Sequence, residues 1–68
     1  MYKLTVYKAD SDHKGEVSGS HTAVVIDHLK ASAARNGFEA PRHMHDGMPS
    51  GDLIKDGRVV GYWEVSVA

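Results

Sequence analysis

The sequence has 68 residues, no cysteine and a formal charge of −1, with 8 basic against 9 acidic residues and 5 histidines. This length allows one domain, residues 1–68, and the missing cysteines exclude disulfides and thiolate zinc sites as supports of the fold. Balanced, interspersed charges argue against a strong nucleic-acid binder, whose footprint would be a basic stripe. No apolar run approaches the ~20 residues that span a bilayer, and the N-terminus lacks a signal-peptide pattern, so we expect a cytoplasmic protein.

An alternating segment opens the chain. Residues 2–8 alternate between an apolar face that carries Leu4 and a second face that carries Tyr7, in residue types that favour strands. Residues 9–15 are polar and rich in turn formers, so the chain should reverse there. Residues 16–18 then predict a short return strand that pairs with the first.

A helix is predicted over about residues 21–36. Ser18 or Ser20 is placed to cap its first turn, and Asn36 followed by Gly37 supplies a left-handed stop. At ~100° per residue, one stripe of the helix carries the side chains that should face the core, Thr22, Val25, Ile26, Leu29 and Ala33. This stripe is narrow and needs a sheet to cover it.

The segment between the helix and the C-terminal strands is less regular. Pro41 biases the residue before it away from helix, so residues 38–41 should be extended. Residues 42–46 predict an irregular edge strand, and residues 47–51 predict a loop.

Residues 52–67 predict a β-hairpin, because two strand-forming segments flank Asp56-Gly57, a pair that tolerates the positive φ angles of a tight turn. Alternation along the second arm gives it two faces. The face expected to point inward carries Val59, Gly61, Trp63, Val65 and Val67, and the face expected to point outward carries Val60, Tyr62, Glu64 and Ser66.

These elements predict an α+β domain in which one helix packs on a small antiparallel sheet, in the order β-(β)-α-β-β. The first and last strands should be neighbours in that sheet. Tyr7, Val60 and Tyr62 would then share the outer face, where they either pair across strands to stabilise the sheet or bind another protein.

The helix offers a second candidate surface beside its buried stripe. His21, His28 and Arg35 recur every seven residues, with Val24 and Ala31 at the edge of the row. Apolar residues next to charge-capable ones are typical of a binding patch. A solvated helix flank with the His28 ring packed on a neighbour gives the same pattern.

One segment carries candidate metal ligands. His43 and His45 would project to the same side of an extended chain, where two imidazoles could share a metal ion, and Asp46 could add an oxygen. Asp12 and His13 are further candidates. An isolated His-x-His in a polar segment is more often ordinary surface, so a metal-dependent or RNA-cleaving activity is an alternative reading.

No catalytic triad or paired carboxylate stands out, and we expect no cofactor. The leading hypothesis is a non-enzymatic module that binds another protein, with homodimerisation as an open variant, no membrane association, and nucleic-acid binding as a weaker alternative. In size and layout the chain is similar to small accessory or inhibitor proteins that phages and mobile elements direct at host enzymes. That resemblance implies a host protein as the partner.

Overall fold

A single helix packs on a five-stranded antiparallel sheet in the computed structural model, which describes residues 1–9, 14–45 and 47–68. The elements, in chain order, are β1 (Tyr2–Lys8), β2 (Lys14–Gly19), α1 (Thr22–Asn36), β3 (His43–His45), β4 (Met48–Lys55) and β5 (Arg58–Val67). The strands are arranged β2-β1-β5-β4-β3. This confirms the predicted α+β class and element order, with the short return strand and the irregular edge strand both present.

The first and last long strands form the centre of the sheet. β1 pairs with β5 along its whole length, so that Tyr7 lies opposite Tyr62 and Leu4 lies opposite Val65. The predicted adjacency of these strands is therefore confirmed. It places residues from the two ends of the sequence side by side on both faces of the sheet.

The predicted loop over residues 47–51 is wrong, because most of it belongs to β4. Pro49 pairs with Met44 of β3, and Gly51 pairs with Trp63 of β5. Proline and glycine are poor strand formers, so the composition of this segment favours a loop. Pairing with strands on both sides overrides that preference here.

The hairpin turn forms at the predicted place. Asp56 has a φ of 53° and Gly57 a φ of 76°, the two positive angles that a primed turn requires. Before this turn the register shifts between Leu53 and Ile54, since Leu53 lies opposite Gly61 while Ile54 lies opposite Val59. Such a shift is a β-bulge, which leaves one residue of β5 without a partner.

The bulge overturns the predicted faces of two residues. Val60 is the unpaired residue, and it is half-buried and packed against the core, whereas Val59 is 59% exposed. Strict alternation assigns each of these two side chains to the face opposite the one that it occupies, because alternation assumes one cross-strand partner for every residue. Alternation also predicts an inward-facing Val67, but Val67 is 72% exposed at the end of its strand. Gly61, Trp63 and Val65 are buried as predicted.

The core lies between α1 and one face of the sheet. Its buried apolar side chains are Leu4, Val25, Ile26, Leu29, Leu53, Trp63 and Val65. Val25, Ile26, Leu29 and Ala33 form the buried stripe of the helix, as predicted. In the described part of the chain, α1 is the only helix, and it is too short and too polar to cross a membrane.

The predicted C-terminal stop of α1 is confirmed, whereas its predicted N-terminal cap is not. Gly37 adopts a left-handed φ of 75°, and the Phe38 N–H donates to the Ala33 carbonyl oxygen at 2.8 Å, which is the predicted helix stop. The predicted serine cap is wrong, since the N-cap residue is His21 and its side chain does not cap the first turn. Ser18 belongs to β2, and Ser20 lies one residue before the N-cap position.

After α1, the chain runs along the β4 edge of the sheet. Glu39 and Ile54 exchange two backbone hydrogen bonds of 2.7 and 2.8 Å. Further along, the Pro41 carbonyl oxygen lies over Gly51, where any Cβ atom would overlap it. A glycine in β4 therefore allows this connection to approach the sheet closely.

Candidate protein-binding surface

A pair of tyrosines occupies the centre of the outer sheet face, the face opposite α1. Tyr7 of β1 and Tyr62 of β5 stack with their ring centroids 4.5 Å apart and an angle of 16° between the ring planes. They are cross-strand partners, so strand pairing itself brings the rings together. The predicted juxtaposition of these two residues is thus present.

A carboxylate anchors this pair. The Tyr7 hydroxyl donates a hydrogen bond to Glu64 Oε1 at 3.0 Å. That hydrogen bond, with smaller contributions from burial and from the negative charge of Glu64, raises the pKa of Tyr7 above its ordinary value of 10.0. The phenol therefore stays neutral, and the hydrogen bond orients Glu64 beside the stacked rings.

A shallow hollow adjoins Tyr62 on the side of β4. It has a volume of about 280 Å³ and is bounded by Ser50, Gly51, Asp52, Tyr62, Trp63 and Glu64. Strand pairing places Asp52 opposite Tyr62, and Ser50 opposite Glu64. Tyr62 is 50% exposed, and Asp52 and Glu64 are also exposed. An aromatic ring and two carboxylates thus surround one hollow.

Neither carboxylate of the hollow has a cationic partner among the residues that the structure describes. The ion pair found among the described residues lies outside the hollow and joins Lys14 and Glu16 on β2, with Nζ and Oε1 3.5 Å apart. Asp52 and Glu64 therefore leave their negative charge at the surface next to Tyr62.

Val60 does not join this surface. Alternation predicts that Val60 shares the outer face with Tyr7 and Tyr62, but the bulge turns it toward the core. There it lines a cavity of about 490 Å³ between α1 and the sheet, together with Val6 and Leu29. Sequence alternation predicts that Glu64 points outward, but it gives no reason to expect a role for that carboxylate. The contribution of Asp52 and Glu64 to this surface is therefore visible only in the structure.

The predicted helix flank is exposed to solvent. Val24 is 50% exposed, and His28 and Arg35 are exposed as well. His28 also lines a cavity of about 410 Å³ between α1 and β2. These positions suit either a solvated flank or a contact surface, so their binding role stays a prediction.

The candidate metal ligands are only partly described. His43 lies in the edge strand β3 opposite Ser50 and is exposed. Asp12, His13, Asp46 and the side chain of His45 lie outside the described residues. Within the described residues, no three histidine or carboxylate side chains converge to hold a metal ion. Metal binding at His43, His45 and Asp46 stays a prediction.

Comparison with known proteins gives the chain a family. The family model described as Mycobacterium phage Gp84-like protein matches residues 1–68. The gene 84 protein of Mycobacterium phage L5 is 46% identical over 66 residues, which cover 97% of each chain. The gene 84 protein of Mycobacterium phage D29 is 38% identical over 68 residues and the full length of both chains. No solved structure matches the chain. The chain therefore belongs to the family of Mycobacterium phage Gp84-like proteins.

Proposed function

We propose that this protein is a small, non-enzymatic phage module that binds a protein of the host cell, acting as an accessory or inhibitor protein in the host cytoplasm. Membership of a phage protein family supports the phage setting. The observation that carries the binding role is the stacked Tyr7–Tyr62 pair, which places a half-exposed aromatic ring at the centre of an open sheet face.

Tyrosine is suited to this role for physical reasons. It supplies a large contact area with few rotatable bonds, and it is enriched among the residues that dominate binding energy. In this sheet the ring of Tyr62 is already held by Tyr7, so ordering it on binding costs little additional entropy. A partner that covers Tyr62 would gain contact area at a preformed position.

The sheet face is favoured over the helix flank because its parts contact one another. Tyr7 contacts both Tyr62 and Glu64. Among the described residues, no side-chain hydrogen bond or ion pair joins Val24, His28 and Arg35. We therefore centre the binding surface on Tyr62 and treat the flank as the site to compare with it.

Site-specific photo-crosslinking tests the proposal. A photoreactive phenylalanine analogue is placed at position 62, at position 24 on the helix flank, or at the exposed Ala34 as background. Each variant is irradiated in mycobacterial lysate, and captured proteins are identified by mass spectrometry. We expect position 62 to capture a protein that position 34 does not.

The captured protein is then purified and its affinity measured directly. Tyr62→Ala should weaken binding by about tenfold or more, as expected for an interface anchor. Val59→Ala changes another exposed side chain of the same strand and should leave the affinity unchanged. Unchanged affinity in a folded Tyr62→Ala variant, checked by circular dichroism, would contradict the proposal. Capture at position 24 alone would move the binding surface to the helix flank and also contradict it.

A further inference from the structure

We infer that the partner presents an arginine side chain to the hollow between Asp52, Tyr62 and Glu64. This rests on the proposed function and specifies the chemistry of the partner at the same surface.

The hollow combines the groups that a guanidinium ion needs. Asp52 lies directly opposite Tyr62, and Glu64 lies two residues along β5 from Tyr62 on the same face. A cation placed over the hollow would therefore have a carboxylate on either side and an aromatic ring between them. Guanidinium groups stack on aromatic rings and bind carboxylates through a planar fork of N–H donors, which a lysine ammonium ion lacks.

The ring and one carboxylate are preorganised. Tyr7 stacks on Tyr62 and donates its hydroxyl hydrogen to Glu64 Oε1, so both neighbours of the hollow are oriented by the same residue. Glu64 Oε2 takes no part in that hydrogen bond. Binding a cation would therefore not require the Tyr7–Glu64 hydrogen bond to break.

The basic side chains of the outer face are not direct strand partners of Tyr62, and His43 lies opposite Ser50 on the edge strand β3. Lys14 is paired with Glu16 at the β2 edge of the sheet. Lys3 lies opposite Ser66, one outward-facing pair beyond the Thr5–Glu64 pair. The uncompensated charge next to the exposed ring is therefore negative, which selects a basic partner by complementarity.

Nuclear magnetic resonance with a defined peptide tests the inference. The probe is a blocked glycine-arginine-glycine-arginine-glycine peptide, and its control contains citrulline, which keeps the shape of arginine but has no charge. We expect the arginine peptide to shift the backbone amide signals of Gly51, Asp52 and Tyr62, and the citrulline peptide to bind more weakly. Equal binding of the two peptides, no binding of either, or shifts confined to α1 would overturn the inference.

Charge-removing variants locate the interaction. Asp52→Asn and Glu64→Gln should each weaken arginine-peptide binding by about threefold, and the double variant by about tenfold, as expected for two independent exposed charge contacts. Glu16→Gln removes a carboxylate of the same face that already pairs with Lys14, and should leave binding unchanged. Equal losses in Glu16→Gln and Asp52→Asn would show non-specific attraction and overturn the inference.

Two further outcomes separate this inference from the proposed function. If the cross-linked host protein depends on Tyr62 but binds the double variant as tightly as the wild type, the proposed function stands and the arginine contact is refuted. If the double variant lowers the oligomeric mass in light scattering, the hollow is occupied by a second copy of this chain, and a basic host partner is refuted.

Discussion

Replacing Leu29 by alanine tests whether the helix stripe holds the domain together. Leu29 is only 5% exposed and packs among the buried side chains of the core. Leucine-to-alanine changes in cores cost about 2–5 kcal/mol, which includes the transfer of the lost atoms and the cavity they leave. Leu29 also lines both cavities between α1 and the sheet, of about 490 and 410 Å³. Water can enter this space, so we expect a loss of about 2–3 kcal/mol in the free energy of unfolding, at the low end of that range.

That loss is large for a chain of this size. At about 0.05–0.15 kcal/mol per residue, 68 residues give a free energy of unfolding of roughly 3–10 kcal/mol. Urea unfolding followed by Trp63 fluorescence measures the change, and Val24→Ala is the matched control because Val24 is on the same helix and 50% exposed. The control should change stability by less than about 0.5 kcal/mol. A loss below about 1 kcal/mol for Leu29→Ala, or equal losses in both variants, would refute the assignment of the core.

Two further perturbations test the sheet. Gly61→Ala should destabilise the protein by about 2 kcal/mol or more, because the new Cβ would overlap the Tyr7 carbonyl oxygen. In Gly15→Ala the new Cβ meets no atom of the described residues within 4 Å, so this control should be nearly neutral. Thermal unfolding compares the two variants, and similar melting temperatures would contradict the strand register. Glu64→Gln should lower the pKa of Tyr7 toward 10.0, measured by nuclear magnetic resonance titration of the ring. Because the folded pKa of Tyr7 is raised, its contribution to stability is present below the unfolded pKa and is lost as pH rises through the folded value. This alkaline loss of stability should therefore be smaller in Glu64→Gln than in the wild type, and identical Tyr7 titrations in the two proteins would refute the hydrogen bond.

Much of the fold was predictable because local signals agreed with one another. The Asp56-Gly57 turn and the Gly37 helix stop both depend on positive φ angles, which few residue types adopt readily, and both formed as expected. The buried helix stripe followed from periodicity alone. The prediction for Val60 fails because a register shift between β4 and β5 interrupts the alternation of side chains along β5. The sequence of one strand does not show how that strand is aligned with its partner.

The candidate surface was predictable in part. Alternation placed Tyr7 and Tyr62 outward, and the adjacency of the first and last strands brought them together. The position of Asp52 could not be found in the same way, because it depends on where β4 pairs with β5. Side chains from three strands contribute to the hollow and its support, so its chemistry emerges only from the assembled sheet.

The central pairing of β1 with β5 has a consequence for how the chain folds. Tyr7 and Glu64, which are joined by a hydrogen bond across this pairing, are 57 positions apart in the sequence, whereas the β4–β5 hairpin is local. Local contacts form quickly, and distant ones must first overcome the entropy of closing a long loop. The hairpin should therefore form before β1 docks against it, and the Tyr7–Tyr62 surface is assembled only in that late step. Any partner that recognises both rings selects the completed fold over partly folded forms.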